Sequence, residues 1–144
     1  MTEGELFLID TNIVVYYHDA ADSVKHAIAK RLIDRCFSRD EIFAVSSQNL
    51  SEFFSVTTTK KLLTKKEALN FISDIVDFSG WVKIDFSHKT VVEAARISDE
   101  YNMPYWDSLL AATMKQNGVL NLYTENVKDI KVPWIHAVDP FGKR

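Results

Sequence analysis

The sequence holds a single cysteine, Cys36. No disulfide can form within the chain, which fits a reducing compartment and excludes a disulfide-stapled secreted scaffold. Cys36 falls on the apolar side of a predicted helix with no base in view to activate it, so it reads as a small buried hydrophobe. Three prolines and four glycines are too few for a disordered or loop-dominated chain. No apolar stretch approaches the ~20 residues that span a bilayer. The opening residues, MTEGELFLID, lack the basic flank and long apolar run of a secretory signal. The expected location is therefore the cytoplasm, with no membrane partner. A basic balance is missing as well, since the formal net charge is −3. Electrostatic capture of nucleic acid needs cations to neutralise phosphates. Contact with RNA would have to use a local basic patch or a bound metal.

What remains is an ordinary globular composition, 47% hydrophobic and 26% charged over 144 residues, enough for one domain, residues 1–144, with its own core. Short apolar runs alternate with helical patterns. Leu6–Ile9, Ile42–Val45, Trp81–Ile84 and Leu120–Tyr123 read as strands, and Ile135–Val138 as a fifth. Between them lie predicted helices. One carries Ile13, Val14 and Val15, and the next, capped by Asp22 or Ser23, carries Val24, Ala27, Ile28 and Leu32. A third, capped by Ser46 or Ser47, holds Leu50, Phe53 and Phe54. Thr64-Lys65-Lys66-Glu67 is a capping-box pattern opening a helix with Ala68, Leu69, Ile72, Ile75 and Val76 as its stripe. Ser87 caps a helix carrying Val91, Ala94, Ala95 and Ile97. Pro104 precedes a helix from about Asp107 to Asn117, stopped by Gly118. Strands alternating with helices predict an α/β domain, a three-layer α/β/α sandwich around a mostly parallel sheet of four to five strands. Sites in such sheets form beyond the carboxyl ends of the strands.

Several carboxylates fall at such places. Asp10 directly follows the first strand and precedes Thr11-Asn12, where it reads equally as a helix N-cap. Glu52 lies beside the apolar residues of its helix, and by itself reads as a solvated side chain. Asp107 stands at the head of an apolar helix, where the dipole alone favours an acid. Thr124, Glu125, Asn126 and Asp129 follow the fourth strand as a polar turn. Oxygen donors without a His or Cys cluster favour Mg2+ or Mn2+ over zinc. His18, His26, His88 and His136 are scattered without ligand spacing. The lysines Lys60, Lys61, Lys65 and Lys66 read first as a solvated face, with RNA steering as the sharper alternative. Tyr16 and Tyr17 fit either core packing or a partner groove. Trp81, Trp106 and Trp134 read as core residues rather than base-stacking platforms.

Four stretches carry a family resemblance. They are Leu8-Ile9-Asp10-Thr11-Asn12, Val45 to Phe53 with Glu52 near its end, Tyr105 to Ala112 with Asp107 inside, and Leu122-Tyr123-Thr124-Glu125-Asn126, followed by the closing Asp139-Pro140-Phe141. In this order, across nearly the whole chain, they resemble PIN-domain proteins of the VapC toxin type. The resemblance implies an Mg2+- or Mn2+-dependent endoribonuclease, the toxin of a toxin–antitoxin pair, acting as a homodimer and inhibited by a small cognate antitoxin protein. It places Asp10, Glu52 and Asp107 at the family's acidic positions and Thr124 at its Ser/Thr position. Asn126 stands where many relatives carry a further Asp. An amide can lend a carbonyl oxygen but no charge, so a second metal would bind less well unless Asp129 compensates.

On this reading Asp10 and Asp107 hold the metal, and Glu52 orients or deprotonates the attacking water. Asn126 and Thr124, with Thr11, Asn12 and Asp129, complete the outer shell around the RNA substrate. The competing reading keeps the same fold as a non-catalytic binding or dimerisation module, which Asn126 favours and the intact acids oppose. A phosphohydrolase with Asp10 as nucleophile carries less weight, because the usual Asp-x-Asp pattern fails at Asn12.

Overall fold

The chain alternates strands and helices, and the computed structural model describes residues 5–142 of it. The readings that concern a targeting segment and the two chain ends lie partly outside these residues. The strands are β1 (Phe7–Ile9), β2 (Phe43–Ser46), β3 (Trp81–Ile84), β4 (Asn121–Tyr123) and β5 (His136–Val138). The helices are α1 (Thr11–Tyr16), α2 (Ser23–Phe37), α3 (Ser47–Thr59), α4 (Lys65–Asp77), α5 (His88–Tyr101) and α6 (Tyr105–Gln116), with a short 3-10 turn at Val127–Asp129. The strands form one sheet in the order β3-β2-β1-β4-β5, and every pairing is parallel.

That order makes the chain walk outward from β1 to β3, then return to the other side of β1 for β4 and β5. Parallel crossovers are right-handed, so reversing the walk moves the connecting helices to the opposite face. The core divides accordingly. Ile9, Phe43 and Val45 pack against α1 to α4, together with Ile33, Phe53 and Ile75. Leu8, Ala44, Ile84 and Leu122 point the other way, onto Leu110 and Met114 of α6. Neighbouring residues such as Leu8 and Ile9 are both fully buried because the sheet is covered on both sides. The result is the three-layer sandwich that the element pattern predicts.

Local chemistry sets the helix ends. The Asp22 side chain caps α2 by accepting from the Lys25 N–H. Ser46, Thr64 and Ser87 each open a helix through a reciprocal capping box. Asn102 ends α5 in the left-handed region, and Gly118, at φ +71°, turns the chain after α6.

Several details correct the sequence reading. Helix α6 begins at Tyr105 rather than near Asp107, because Pro104 occupies the N-cap position, where its missing N–H costs nothing. The helical stripes are narrower than the periodicity suggests. Val24, Ala27, Leu69, Val76, Val91 and Ala95 are exposed, while Ala29 and Ile33 on α2 and Thr90 on α5 are buried; Cys36 is buried as expected. Apolar residues at the margin of a helix face count toward a pattern but reach past the sheet's edge. Trp81 is core, whereas Trp106 is 62% exposed, against the expectation. No described helix is long and apolar enough to cross a membrane.

Candidate active site at the strand ends

The walk along the sheet reverses between β1 and β4, so the loops leaving these neighbours diverge and open a crevice at their carboxyl ends. Asp10 leaves β1 there and Thr124 leaves β4. The Asp10 N–H donates to the Tyr123 carbonyl at 3.0 Å, carrying the strand pairing one residue further. Asp10 then serves as the N-cap of α1, its Oδ1 accepting from the Thr11 N–H at 2.8 Å. Its Oδ2 accepts from the Thr124 hydroxyl at 2.7 Å, and the Asn49 amide approaches Oδ1 at 3.4 Å. The capping and functional readings of Asp10 are thus compatible, since one oxygen edge caps the helix while the group still lines the crevice.

Glu52 reaches the same place from α3. Its Oε1 accepts from the Thr11 hydroxyl at 2.7 Å, and its Oε2 from the Gln48 amide at 3.1 Å. Thr11 therefore ties the start of α1 to α3, and Asn49 steadies it by donating to its Oγ1 at 2.9 Å. Gln48 also donates to the Trp106 carbonyl at 2.9 Å, which fixes the start of α6 and with it Asp107. The three acids, together with Asn12 and Asn126, line one cleft of about 550 Å³.

Electrostatics mark the cleft. Burial raises the Asp10 carboxyl above its ordinary range, and the Glu52 charge adds to this against hydrogen bonds from Thr124, Thr11 and Asn49. Asp107 is pushed up to about 6, first by burial and then by the negative charges of Asp10, Asp129 and Glu52. Carboxyls held above their normal range in a cleft mark a place where a cation would be welcome.

The outer positions are less uniform. Thr124 is fully buried, and besides holding Asp10 it accepts the Asn126 N–H at 3.1 Å. The Asn126 side chain lies exposed at the cleft wall. Asp129 sits in the 3-10 turn outside the lining, exposed, and acts on Asp107 only through its charge. Asn12 contributes a buried Oδ1 with no hydrogen-bond partner. None of the four histidines lines the cleft. His18 packs instead between Phe53 and Phe71, with burial pushing its pKa down to about 4.

The donor set fits a hard divalent cation. It is all oxygen, its carboxyls at Asp10 and Asp107 are held above their ordinary range by burial and neighbouring negative charge, and Asn12 adds an acceptor without a partner. Among the described residues no three His, Cys, Asp or Glu side chains converge into a ready-made coordination sphere. An ion here would keep part of its hydration shell, as Mg2+ commonly does.

Several residues at the cleft escape the sequence reading or enter it only in another role. Asp19 and Lys60 line it, so one of the four lysines is more than a solvated face. Tyr16 and Glu125 line it too, Tyr16 donating to Glu125, which Lys25 contacts from outside the lining. Gln48 lies four residues before Glu52, one helical turn away on the same face, and that spacing was the available signal for it.

A sequence profile described as PIN domain matches residues 7–131. The chain belongs to this family. No curated protein sequence matches it, so its relatives are visible through shape. The PIN domain resembles VapC20 of Mycobacterium tuberculosis, described as a Sarcin-Ricin loop cleaving toxin, with a TM-score of 0.64 at 18% identity over 86% of this chain and 93% of that one. A toxin–antitoxin complex from Klebsiella pneumoniae superposes with a TM-score of 0.66 at 19% identity, over 93% and 97%. VapBC2 of Rickettsia felis, bound to a DNA fragment from its promoter, gives 0.64 at 22% identity, over 92% and 97%. At these identities the likeness speaks for the fold.

Proposed function

We propose that this PIN domain is a metal-dependent endoribonuclease and the toxin of a toxin–antitoxin pair. The observation that carries the proposal is the convergence of Asp10, Glu52 and Asp107, from three separate elements, on one cleft at the sheet's switch point. The toxin descriptions of the structural neighbours support the same reading. The toxin–antitoxin complex among them favours a small cognate antitoxin as partner, and the reading also takes a homodimer as the working form and the cytoplasm as its place.

Asp10 and Asp107 would hold Mg2+ or Mn2+, directly or through water, with Asn12 and Asn126 offering neutral oxygens beside them. Such an ion neutralises the scissile phosphate and acidifies water when bound. The chain's own groups do the rest. Glu52, held by Thr11 and Gln48, keeps an acceptor oxygen toward the cleft and takes the proton from the attacking water. As water adds to phosphorus, the P–O ester bond breaks, and the leaving oxygen takes a proton from solvent while Glu52 returns the one it took. Thr124 and Asn49 donate to Asp10, which fixes it in place and opposes the upward pull of burial on its pKa. Lys60 contacts the RNA backbone along the cleft.

The test is cleavage of a mixed structured-RNA pool by partner-free protein with Mg2+ or Mn2+, with EDTA, and beside Asp10→Asn. Cleavage should need the metal and disappear in the variant. Parent-rate cleavage by Asp10→Asn would mean that the site is elsewhere. Neither cleavage nor a metal-induced rise in Tm would return the chain to a non-catalytic binding module.

A further inference from the structure

A second cavity of about 440 Å³ adjoins the acidic cleft, and Glu52 belongs to the walls of both. Its outer walls are aromatic. Trp106 is 62% exposed and Phe86 39%, each large enough that leaving it in water is costly. Leu109 and the Ser51 and Ser55 side chains of α3 complete the lining. Gln48 forms part of the wall, is only 8% exposed, and spends its amide N–H groups on Glu52 and the Trp106 carbonyl. Both partners are acceptors, so the amide cannot be turned round. Its Oε1 is left buried without a partner, an acceptor for an N–H group reaching the wall.

We propose that this pocket is a nucleobase subsite, with Trp106 and Phe86 stacking on a base of the RNA next to the scissile phosphate. The inference rests on the nuclease reading of the acidic cleft. Three arguments favour a base over another occupant. The pocket is continuous with the proposed phosphate site through Glu52. Lys60 caps the end of α3 about two turns beyond Glu52 and lines the acidic cleft, so a cation and a carboxylate stand beside the aromatic wall that Phe86 and Trp106 supply from other elements. That arrangement suits a chain of phosphates ending in a flat, π-faced group. A base also carries N–H donors on its edge that a Gln oxygen can accept, which a purely apolar protein side chain does not.

The experiment compares the parent, Trp106→Ala and Phe86→Ala, each with Ca2+ in place of Mg2+ or Mn2+ so that a hard cation can still fill the site, by fluorescence anisotropy with a short labelled single-stranded RNA and with a labelled abasic chain of equal length. Trp106→Ala should weaken binding of the RNA about tenfold and leave the abasic chain's affinity unchanged, and Phe86→Ala should do the same to a smaller extent. With Mg2+ restored, both variants should raise KM for RNA more than they lower kcat. The Mn2+-induced rise in Tm should persist in both, which separates a lost subsite from a disturbed Asp107. Equal loss on the abasic chain, or no loss on either, would overturn the subsite. So would a change in oligomeric state on light scattering, which would make the pocket a contact between copies. If the parent cleaves RNA and KM is unmoved in Trp106→Ala, the subsite alone falls. If the parent neither binds nor cleaves RNA, the nuclease reading falls and takes the subsite with it.

Discussion

Asp107 carries a heavy electrostatic load in the cleft. Its pKa of about 6 stands above the ordinary 3.8 because burial and three neighbouring charges oppose ionisation. A carboxyl whose folded pKa is raised favours the fold below its unfolded pKa, and this contribution is lost as pH rises through the folded value. In metal-free protein the ionised group therefore weakens the fold above pH ~6 by on the order of 2 kcal/mol. Asp107→Asn should raise Tm at pH 8 in EDTA, and the gain should vanish near pH 4, as followed by thermal melts across that range. A gain independent of pH would place its origin outside this charge. Thr124 is tested through Asp10. Thr124→Val removes the hydroxyl that donates at 2.7 Å while keeping the shape, so RNA cleavage should fall about 10- to 100-fold with the fold retained. Cleavage kinetics beside a circular dichroism spectrum check this.

At the scale of elements, α6 deserves the closest reading, because it positions Asp107 and fills the second face of the sheet. Every residue from Ser108 to Met114 is buried, so the helix has no solvent side over that stretch and no freedom to rotate. Its C-terminal turn relies on Gly118, at φ +71° with nothing within 4 Å of an added Cβ. Gly118→Ala should thus cost only the backbone penalty, about 1–2 kcal/mol, read as a lower urea midpoint without loss of metal response. Helix α4 shows a contrasting case. Its capping box is exposed, with Thr64 and Glu67 exchanging bonds of 2.9 and 3.1 Å. Thr64→Ala should cost about 1 kcal/mol and leave cleavage untouched, because α4 contributes nothing to the cleft.

For the molecule as a whole, the question is how a chain of net charge −3 handles a polyanion. The cleft concentrates acids, and Lys60 is the lysine that lines it. A divalent ion that binds only the native state must stabilise it. Mg2+ or Mn2+ should raise the Tm of the parent, and much less that of Asp10→Asn. An equal rise in both would place the ion away from Asp10. The same ion would reduce the repulsion that otherwise keeps RNA away, which ties substrate binding to metal occupancy.

The layered parallel architecture was legible in the chain, since strand runs and helix caps are local signals carried by neighbouring residues. Ser46, Thr64 and Ser87 write their helix starts within four residues. Asp10, Glu52 and Asp107 could be named from motif order. Their meeting could not be read locally, because 42 residues separate the first two, and each has a sufficient bland account where it stands. Only the reversal of the strand walk, which sets β4 beside β1, brings Thr124 to Asp10 and opens the cleft. Exposure was likewise undetermined. Periodicity counts Val24, Leu69 and Val76 as core, and nothing near Trp106 separates it from Trp81. Which side of a residue meets the sheet depends on how far each helix extends over it. The sequence determined the elements and their chemistry, because those depend on neighbours along the chain. The tertiary structure decided which acids share a cleft and which aromatic ring stays in water, because these depend on neighbours across it.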